Sequence, residues 1–321
     1  MAGGQGTRAI REGSVTRRVG IIGLSEGNGH PFSFSAIING YSHDGLRRSG
    51  WPVIFEYVRR RDPSEFGIGN LQVTHAWTQV PETTARLCAA CRIPNAVSAP
   101  EDMIGAVDAI ILARDDYSAH FAMAMPYLEA GLPVFVDKPL TLDLAELAAF
   151  RPYLESGQLM SCSAMRFARE LDDARASIAD YGELRLIRGA ILNDWERYGI
   201  HLVDAVLGLV TARPLSIAPL PSRHASLAVS MDDGSLVQLD ALGNVGRCFR
   251  LELYGTERIS SHEIIDNFSM FRRLLAHFAR GIATGEALIP CADTLTAIRM
   301  LIAGRMALEQ SRKVHLDELR V

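Results

Sequence analysis

Short apolar segments alternate with helix-like segments along the first 136 residues, and this alternation constrains the fold more than any other feature. The apolar runs lie at residues 19–23, 53–58, 71–77, 107–113 and 133–136. Segments with helical character lie at residues 81–92 and 118–130. Strands that alternate with helices form a parallel sheet covered on both faces. The first half is therefore predicted to be a doubly wound parallel α/β sheet.

The pattern changes after Pro139, where longer extended segments replace the alternation. A helix at about 142–156 precedes extended segments at residues 159–166, 184–192, 226–231, 236–242 and 248–254. Asp232-Asp233-Gly234, between two of these segments, is typical of a hairpin turn. This half is predicted to be an α+β domain with a large, mostly antiparallel open sheet and a closing helix at about 292–310.

Composition excludes several classes of protein. The 321 residues are 48% hydrophobic and 22% charged, with a formal net charge of -4. No apolar run approaches the roughly 18 residues of a membrane helix, and no broad positive field favours nucleic acid. Five scattered cysteines and the absence of an apolar signal core indicate a cytoplasmic location. Cys88 and Cys91 have no partner motif, so we predict buried apolar side chains and no metal site.

Lysine is rare in this chain. Of the 33 basic side chains, 31 are arginine and two are lysine, Lys138 and Lys313. A lysine amine can exchange a proton, whereas an arginine guanidinium stays charged. Lys313 lies in a polar C-terminal stretch and is predicted to be a surface residue. Lys138 is therefore a candidate for special chemistry.

A glycine-rich loop follows the first apolar run and precedes a predicted helix. It contains Gly23, Ser25, Gly27, Asn28 and Gly29. Backbone N–H groups at a helix N-terminus bind anions, and this position in an α/β domain favours the pyrophosphate of a dinucleotide. The spacing departs from Gly-x-Gly-x-x-Gly because Ser25 replaces the second glycine. The alternative is a tight connection that binds no ligand.

The end of the predicted second strand bears on which dinucleotide binds. Arg59, Arg60 and Arg61 follow the run at 53–58, where an acidic residue usually binds the ribose of NAD. Guanidinium groups suit the 2′-phosphate of NADP, so NADP is favoured over NAD. The alternatives are a solvated basic turn, or Glu56 as the ribose ligand if the strand ends earlier.

Three segments together resemble one family. They are the run from Val107 to His120, the segment Ala130-Gly131 to Asp137-Lys138-Pro139-Leu140, and Tyr198-Gly199-Ile200-His201-Leu202-Val203-Asp204. The chain resembles the glucose–fructose oxidoreductase, inositol dehydrogenase and rhizopine-catabolism (Gfo/Idh/MocA) family of NAD(P)-dependent oxidoreductases. The family motif Glu-Lys-Pro has Asp137 in place of Glu. Met165-Arg166-Phe167, Tyr181-Gly182-Glu183-Leu184, Leu253-Tyr254-Gly255-Thr256 and Val314-His315-Leu316 extend the likeness.

The resemblance implies roles for individual residues. Lys138 is expected beside the nicotinamide and the substrate hydroxyl, and His201 is expected to donate or accept a proton. Pro139 would shape the nicotinamide pocket, and Ala113 and His120 would lie near the cofactor. If the segment after Leu202 is helical, Asp204 lies one turn from His201 and could orient its ring. Structural roles are the alternatives for His120 and His201.

One position departs from the family. The family Asp four residues before the His is Arg197 here. A guanidinium at this place favours an anionic substrate, or indicates lost activity. Asp194 or Glu196 could replace the missing carboxylate, and Tyr198 could relay a proton. Arg166, Trp195, Arg197 and Tyr198 are the predicted substrate-binding residues.

These observations predict three segments and one leading function. Residues 1–17 are predicted to be a disordered extension, 18–139 a dinucleotide-binding Rossmann domain, and 140–321 a domain for substrate binding and oligomerisation. The leading hypothesis is an NAD(P)-dependent oxidoreductase that interconverts hydroxyl and carbonyl groups on a sugar-like, cyclitol-like or sugar-acid substrate. The alternatives are a redox-inactive sensor or partner protein, and cofactor-assisted elimination or hydrolysis. The resemblance also implies a homo-dimer or homo-tetramer that binds neither nucleic acid nor membrane.

Overall fold

A computed structural model describes residues 16–320. The predicted N-terminal extension therefore lies outside the described residues except for its last two positions. Arg17 already begins the first strand. No helix within residues 16–320 is long and apolar enough to cross a membrane.

The first half of the chain forms a parallel sheet with flanking helices. Its elements are β1 (Arg17–Ile22), α1 (His30–Asn39), α2 (His43–Arg47), α3 (Pro52–Val58), β2 (Leu71–Trp77), α4 (Pro81–Cys91), β3 (Asn95–Ala96), β4 (Ala109–Leu112), α5 (His120–Glu129), β5 (Val134–Val136), α6 (Leu144–Glu155) and β6 (Leu159–Met160). The strand order is β3-β2-β1-β4-β5-β6, and every pair is parallel. This is the order of a Rossmann sheet. The predicted fold class is confirmed.

Burial explains why these strands are readable in the sequence. All four residues of β4 and all three of β5 are buried, because helices cover both faces of the sheet. β6 pairs with β5, so the first sheet continues past residue 139, where we predict the first domain to end. Helix α6 separates these two strands along the chain.

The prediction of a strand at 53–58 is wrong, since these residues form α3. Pro52 stands in the first turn of this helix, where its missing N–H costs nothing. Ile54 and Val58, four residues apart, are buried, whereas Val53, directly before Ile54, is 70% exposed. This spacing follows the helical period and not the alternation of a strand. The strand that pairs with β1 is β2.

The second half forms a seven-stranded sheet. Its elements are α7 (Asp172–Ala176), β7 (Leu184–Ile191), α8 (Trp195–Leu207), β8 (Pro214–Pro219), β9 (Ala225–Met231), β10 (Leu236–Ala241), β11 (Phe249–Gly255), β12 (Ile259–Glu263), α9 (Asn267–Thr284), α10 (Cys291–Gln310) and β13 (Val314–His315). The strand order is β12-β11-β7-β10-β9-β8-β13. Only the β7–β10 pair among these described strands is parallel. The predicted antiparallel sheet and hairpin between β9 and β10 are confirmed.

Helix α8 packs on one face of this sheet and thereby positions the candidate site. A side chain on Gly189 of β7 would lie 3.0 Å from Leu202 of α8, so the helix approaches the strand closely there. On the opposite face, Arg188, Leu236 and Arg250 are exposed. The N-terminal end of α8 faces the carboxyl ends of β4 and β5, because Arg197 pairs with Asp115 and Tyr198 lies against Lys138.

Candidate active site

Five loops and helix ends converge at the carboxyl edge of the parallel sheet. They are the glycine loop after β1, the loops after β4, β5 and β6, and the first turns of α8. Ligands in open α/β sheets bind at this edge. The structure brings together the following predicted site residues: Ser25, Asn28, Lys138, Arg197, Tyr198 and His201.

Lys138 directly follows β5 and is 4% exposed. Its Nζ atom lies 3.4 Å from an oxygen of Asp115 and 5.6 Å from the centre of the Tyr198 ring. The Lys138–Pro139 peptide is cis. The ammonium therefore lies between a buried carboxylate and an aromatic face.

His201 lies on α8, one turn after Arg197. Its Nδ1 atom is 2.6 Å from Ser163 Oγ, and its ring packs edge-on against Tyr198 at 5.3 Å. Ser163 Oγ also accepts the Met165 N–H at 3.1 Å, so the Ser163 hydroxyl proton is available for Nδ1. Burial, reinforced by the positive charge of Lys138, holds the pKa of His201 well below its ordinary value. We assign a neutral ring with its proton on Nε2.

Asp204 does not orient His201, which corrects the sequence prediction. Its carboxylate accepts the Ser163 N–H at 2.5 Å and lies 3.8 Å from Arg166. Ser163, at the start of a 3₁₀ helix formed by Ala164–Phe167, comes between Asp204 and the imidazole. Burial raises the pKa of Asp204 to about 6, against the opposing influence of Arg166.

The raised pKa of Asp204 predicts a pH-dependent stability. Between about pH 4 and pH 6 the folded protein binds a proton that the unfolded chain has released, so stability falls as pH rises through this range. Asp204→Asn keeps an oxygen acceptor for Ser163 and carries no charge. The stability of wild type relative to this variant should therefore fall by about 1–3 kcal/mol between pH 4 and pH 7. Urea unfolding at a series of pH values measures it, and a pH-independent difference would contradict it.

Asp115, which the sequence analysis did not single out, stands at the centre of the site. Its Oδ1 accepts the Ser25 hydroxyl at 2.6 Å, and its Oδ2 lies 2.8 Å from Arg197 Nη2. Burial raises its pKa, but Lys138, Ser25 and Arg197 together bring the pKa below its ordinary value. The Ser25 side chain is therefore engaged in a hydrogen bond with Asp115 in this structure. The available sequence signal was an acidic pair, Asp115 and Asp116, directly after an apolar strand.

A second buried carboxylate fixes the end of the glycine loop. Asp137 accepts hydrogen bonds from Asn28 Nδ2 at 2.9 Å and contacts His30 Nδ1 at 2.6 Å. Although burial opposes ionisation, His30 and Lys138 hold the pKa of Asp137 well below its usual range. Asn28 Oδ1 in turn accepts the His30 N–H at 2.8 Å. His30 was also missed, since neither spacing nor composition connects it to Asp137.

The glycines of the loop have different roles. A side chain on Gly23 would lie 2.2 Å from Pro31, and one on Gly29 would lie 2.5 Å from Ile54, so both allow close packing. Gly27 has a φ of +76° with nothing within 4 Å of the place a side chain would take. Gly27 thus borders open space beside the loop.

A groove suited to the adenosine half of a dinucleotide lies beside Gly27. It has a volume of about 300 Å³ between the glycine loop and the carboxyl end of β2. It is lined by Leu24, Ser25, Glu26, Gly27, Trp51, Thr78, Gln79, Val80 and Thr83. Gln79 is tied to the backbone of Leu24 at 2.7 and 2.6 Å. The position and open volume fit an NAD(P) cofactor, and the single charged side chain in this lining is Glu26.

The arginines that we predict to bind the 2′-phosphate lie elsewhere, because they follow helix α3. Arg59 and Arg60 pair with Glu56 at 2.8 and 3.2 Å. Arg61 pairs with Asp266 and lies over the ring of Phe268. None of these side chains, and not Glu56, lines the groove. The argument from arginine for NADP therefore fails.

Four other predicted residues are engaged in the protein interior. Both ring nitrogens of buried His120 lie 3.0 Å from backbone carbonyls, of Leu140 and Arg114, and burial lowers its pKa. Ala113 is buried at the end of β4, and its N–H donates to Ile22. The Trp195 indole donates to the Leu301 carbonyl at 3.0 Å, and Arg166 pairs with Asp293. The structure gives these side chains packing and ion-pair roles.

A cleft of about 800 Å³ opens beside Arg197. Its polar lining includes Tyr117, Asn193, Asp194, Glu196, Arg223, His224, Asn244 and Arg305. Asp194 caps α8 by accepting the Arg197 N–H at 2.8 Å, and Glu196 accepts the Tyr117 hydroxyl at 2.6 Å. Burial and this bond raise the pKa of Tyr117 to about 12. Neither carboxylate therefore replaces the family Asp beside Lys138.

Comparison with known proteins supports a dinucleotide-binding fold in the first half of the chain. Residues 45–160 match an oxidoreductase family with an NAD-binding Rossmann fold, GFO_IDH_MocA. This match covers about a third of the chain and agrees with the family resemblance seen in the sequence. No curated protein matches the sequence significantly.

Solved structures share the fold over almost the whole chain. Apo scyllo-inositol dehydrogenase from Lactobacillus casei has a TM-score of 0.75 and 15% identity, over 94% of this chain and 99% of that one. Myo-inositol 2-dehydrogenase from Lactobacillus plantarum has a TM-score of 0.74 and 16% identity, over 94% and 99%. UDP-N-acetylglucosamine 3-dehydrogenase from Acidithiobacillus ferrooxidans has a TM-score of 0.67 and 16% identity, over 92% and 99%. At these identities the likeness concerns the fold of both halves.

Proposed function

We propose that this chain is a dehydrogenase of the GFO_IDH_MocA family. It interconverts a hydroxyl and a carbonyl on a small cyclitol-like or sugar-like substrate. Lys138 and His201 are its proton-transfer residues. The observation that carries this proposal is the convergence of the two side chains on Tyr198 at the carboxyl edge of the parallel sheet. A buried amine and a half-buried neutral imidazole in one cluster can each move a proton.

The division of labour follows from the chemistry of a carbinol. A bound nicotinamide supplies hydride transfer, and the hydroxyl proton must leave in the same overall reaction. In the oxidation direction a neutral Lys138 amine accepts that proton, and in the reduction direction the Lys138 ammonium or the Nε2–H of His201 donates a proton to the carbonyl oxygen. Ser163 fixes the imidazole through Nδ1 at 2.6 Å. Lys138 is buried and His201 is half-buried, so water has limited access to the place where the proton moves.

We propose that the substrate occupies the cleft beside Arg197. Arg197 pairs with Asp115 at 2.8 Å, so its charge is already balanced within the protein. This pairing weakens the argument that Arg197 selects an anionic substrate. We favour a neutral polyol as the substrate. Scyllo-inositol dehydrogenase from Lactobacillus casei has a similar fold, and one of its structures contains bound NAD(H) and scyllo-inositol.

A turnover assay tests the proposed function. Purified protein is incubated with NAD⁺ or NADP⁺ and a panel of cyclitols, sugars and sugar acids, and nicotinamide absorbance is followed. Stoichiometric reduction of the cofactor is the expected result. Product without net cofactor change would favour elimination or hydrolysis. Cofactor binding without any product would favour the redox-inactive alternative.

We further propose NAD(H) as the preferred cofactor. The groove that fits the adenosine half has no cation among its described lining residues, and Glu26 would face the 2′-phosphate of NADP unfavourably. NADH is therefore expected to bind at least about tenfold more tightly than NADPH. A fluorescence titration with both cofactors measures the ratio.

Arg59→Ala provides the control for this cofactor prediction. Since Arg59 pairs with Glu56 outside the groove, the variant should bind both cofactors as wild type does. Tighter binding of NADPH by wild type, lost in Arg59→Ala, would contradict the prediction and restore the sequence-based argument.

We also propose a homo-dimer or homo-tetramer through the exposed face of the second sheet. On that face Leu236, Leu186, Tyr254 and Ile259 are neighbours across four strands. Leu236 is 40% and Ile259 67% exposed, so the row presents apolar surface to a partner. Sedimentation velocity of the purified chain tests this proposal.

A further inference from the structure

Asp115 joins four segments of the candidate site through one carboxylate. Its Oδ1 accepts the Ser25 hydroxyl and its backbone N–H donates to Ser25 Oγ, which connects the loop after β4 to the glycine loop. Its other oxygen contacts Lys138 after β5 and Arg197 on α8. Arg197 also donates to the Glu26 carbonyl of the glycine loop at 3.4 Å. Any change in the charge of this carboxylate is therefore felt at Lys138.

Two cations share Asp115 unequally. The side chains of Asp115 and Lys138 are each 5% exposed, so solvent screens their attraction weakly. Arg197 Nη2 is closer to the carboxylate, at 2.8 Å against 3.4 Å for Lys138 Nζ. Arg197 thus balances much of the negative charge. The Lys138 ammonium is held in place without a short ion pair that would trap its proton.

The other groups around Lys138 are less able to set its charge. Asp137 is committed to Asn28 and His30, and His201 is neutral. Tyr198 presents its ring face to the ammonium. Asp137 also feels the charge of Lys138, but Asp115 is the carboxylate that contacts the Lys138 ammonium directly, and Arg197 is the cation that shares it.

We propose that Asp115 is a positioning residue that keeps the Lys138 ammonium in the site. Arg197 weakens the attraction between Asp115 and Lys138 because it pairs with the same carboxylate. The role in turnover rests on the proposed function. The electrostatic coupling of Asp115, Arg197 and Lys138 is a property of the free protein and can be measured without turnover.

The scarcity of lysine makes a direct experiment possible. Lys138 and Lys313 are the only lysines in the sequence, so protein labelled with carbon-13 at lysine Cε gives two NMR signals. A Lys313→Arg variant assigns them. The pH titration of the Lys138 signal is then compared in wild type, Asp115→Asn, Arg197→Met and Asp116→Asn. Asp116→Asn is a matched control because it removes the carboxylate next to Asp115, which pairs with Arg114.

Opposite shifts are expected for the two partners. Asp115→Asn leaves the ammonium facing Arg197 without a counter-charge, so the titration midpoint of Lys138 should fall by about 1–3 pH units. Arg197→Met leaves Asp115 to Lys138 alone, so the midpoint should rise. Asp116→Asn should match wild type, and Lys313 should not move in any variant. Asp115→Glu, which keeps the charge, should stay nearer to wild type than Asp115→Asn.

Two results would overturn the proposal. The first is a Lys138 midpoint in Asp115→Asn equal to that in Asp116→Asn. The second is a shift of the same sign in Asp115→Asn and Arg197→Met, which would indicate a general structural change. The turnover assay of wild type tests the proposed function, whereas the NMR titration of Lys138 tests the coupling. A failure of one is therefore distinguished from a failure of the other.

Discussion

Replacing Lys138 with methionine is expected to lower kcat by about 10²–10⁴-fold, the usual contribution of a general acid or base. Methionine fills a similar buried volume next to the Tyr198 ring but can neither hold nor release a proton. The groove beside the glycine loop does not include Lys138, so the affinity for NADH should remain close to that of wild type. Steady-state kinetics with the substrate found in the turnover assay and a fluorescence titration measure the two quantities.

The chain offers a matched control for this substitution. Lys313, the other lysine, is exposed near the C-terminus, and Lys313→Met should retain full turnover. Full turnover in Lys138→Met would remove Lys138 from the mechanism. Loss of NADH binding together with turnover would instead assign Lys138 to the cofactor site alone.

The strands of the parallel sheet could be predicted because burial on both faces demands continuous apolar residues. The predicted segment 71–77 coincides with β2, and the predictions at 107–113 and 133–136 contain β4 and β5. Residues 53–58 also contain several apolar side chains, as the runs that form β2, β4 and β5 do. A short apolar run of this kind does not distinguish a strand from a helix. The proline before the run was the signal for a helix start.

The same error displaced the cofactor argument. Arg59 and Arg60 stand at a strand end only if residues 53–58 are a strand. Since this segment is a helix, the position at which the fold leads one to expect the ribose lies after β2, where Thr78 and Gln79 line the groove. A single wrong element therefore moved the predicted 2′-phosphate site to a solvated turn beside Glu56.

The site was predictable where its residues lie in motifs, and unpredictable where distant loops meet. Lys138, Tyr198 and His201 follow from segments that resemble the family. Asp115 contacts Ser25 across 90 residues of sequence, and Asp137 contacts Asn28 across 109. No local pattern specifies which carboxylate folds against which loop. Helical spacing also assigned Asp204 to His201, whereas the structure places Ser163 between them.

His201→Gln is the second substitution with a large expected effect on turnover. Glutamine can keep a hydrogen bond to Ser163, but its amide cannot transfer a proton as the imidazole Nε2–H can, so kcat should fall by about 10²–10³-fold. Ser163→Ala should reduce kcat less, because the imidazole remains while its orientation is lost. Steady-state kinetics of both variants beside wild type measure the two effects.

The protonation state of His201 gives this prediction a second observable. Burial holds the pKa of His201 well below 6.5, so the ring is neutral throughout the neutral range. His201 should therefore contribute no inflection near pH 6.5 to the pH profile of kcat/KM, so the profiles of wild type and His201→Gln should have the same shape there. Such an inflection would mean that the imidazole is exposed to solvent in the free enzyme. Wild-type turnover in His201→Gln would leave Lys138 as the proposed proton-transfer residue and reduce His201 to packing against Tyr198.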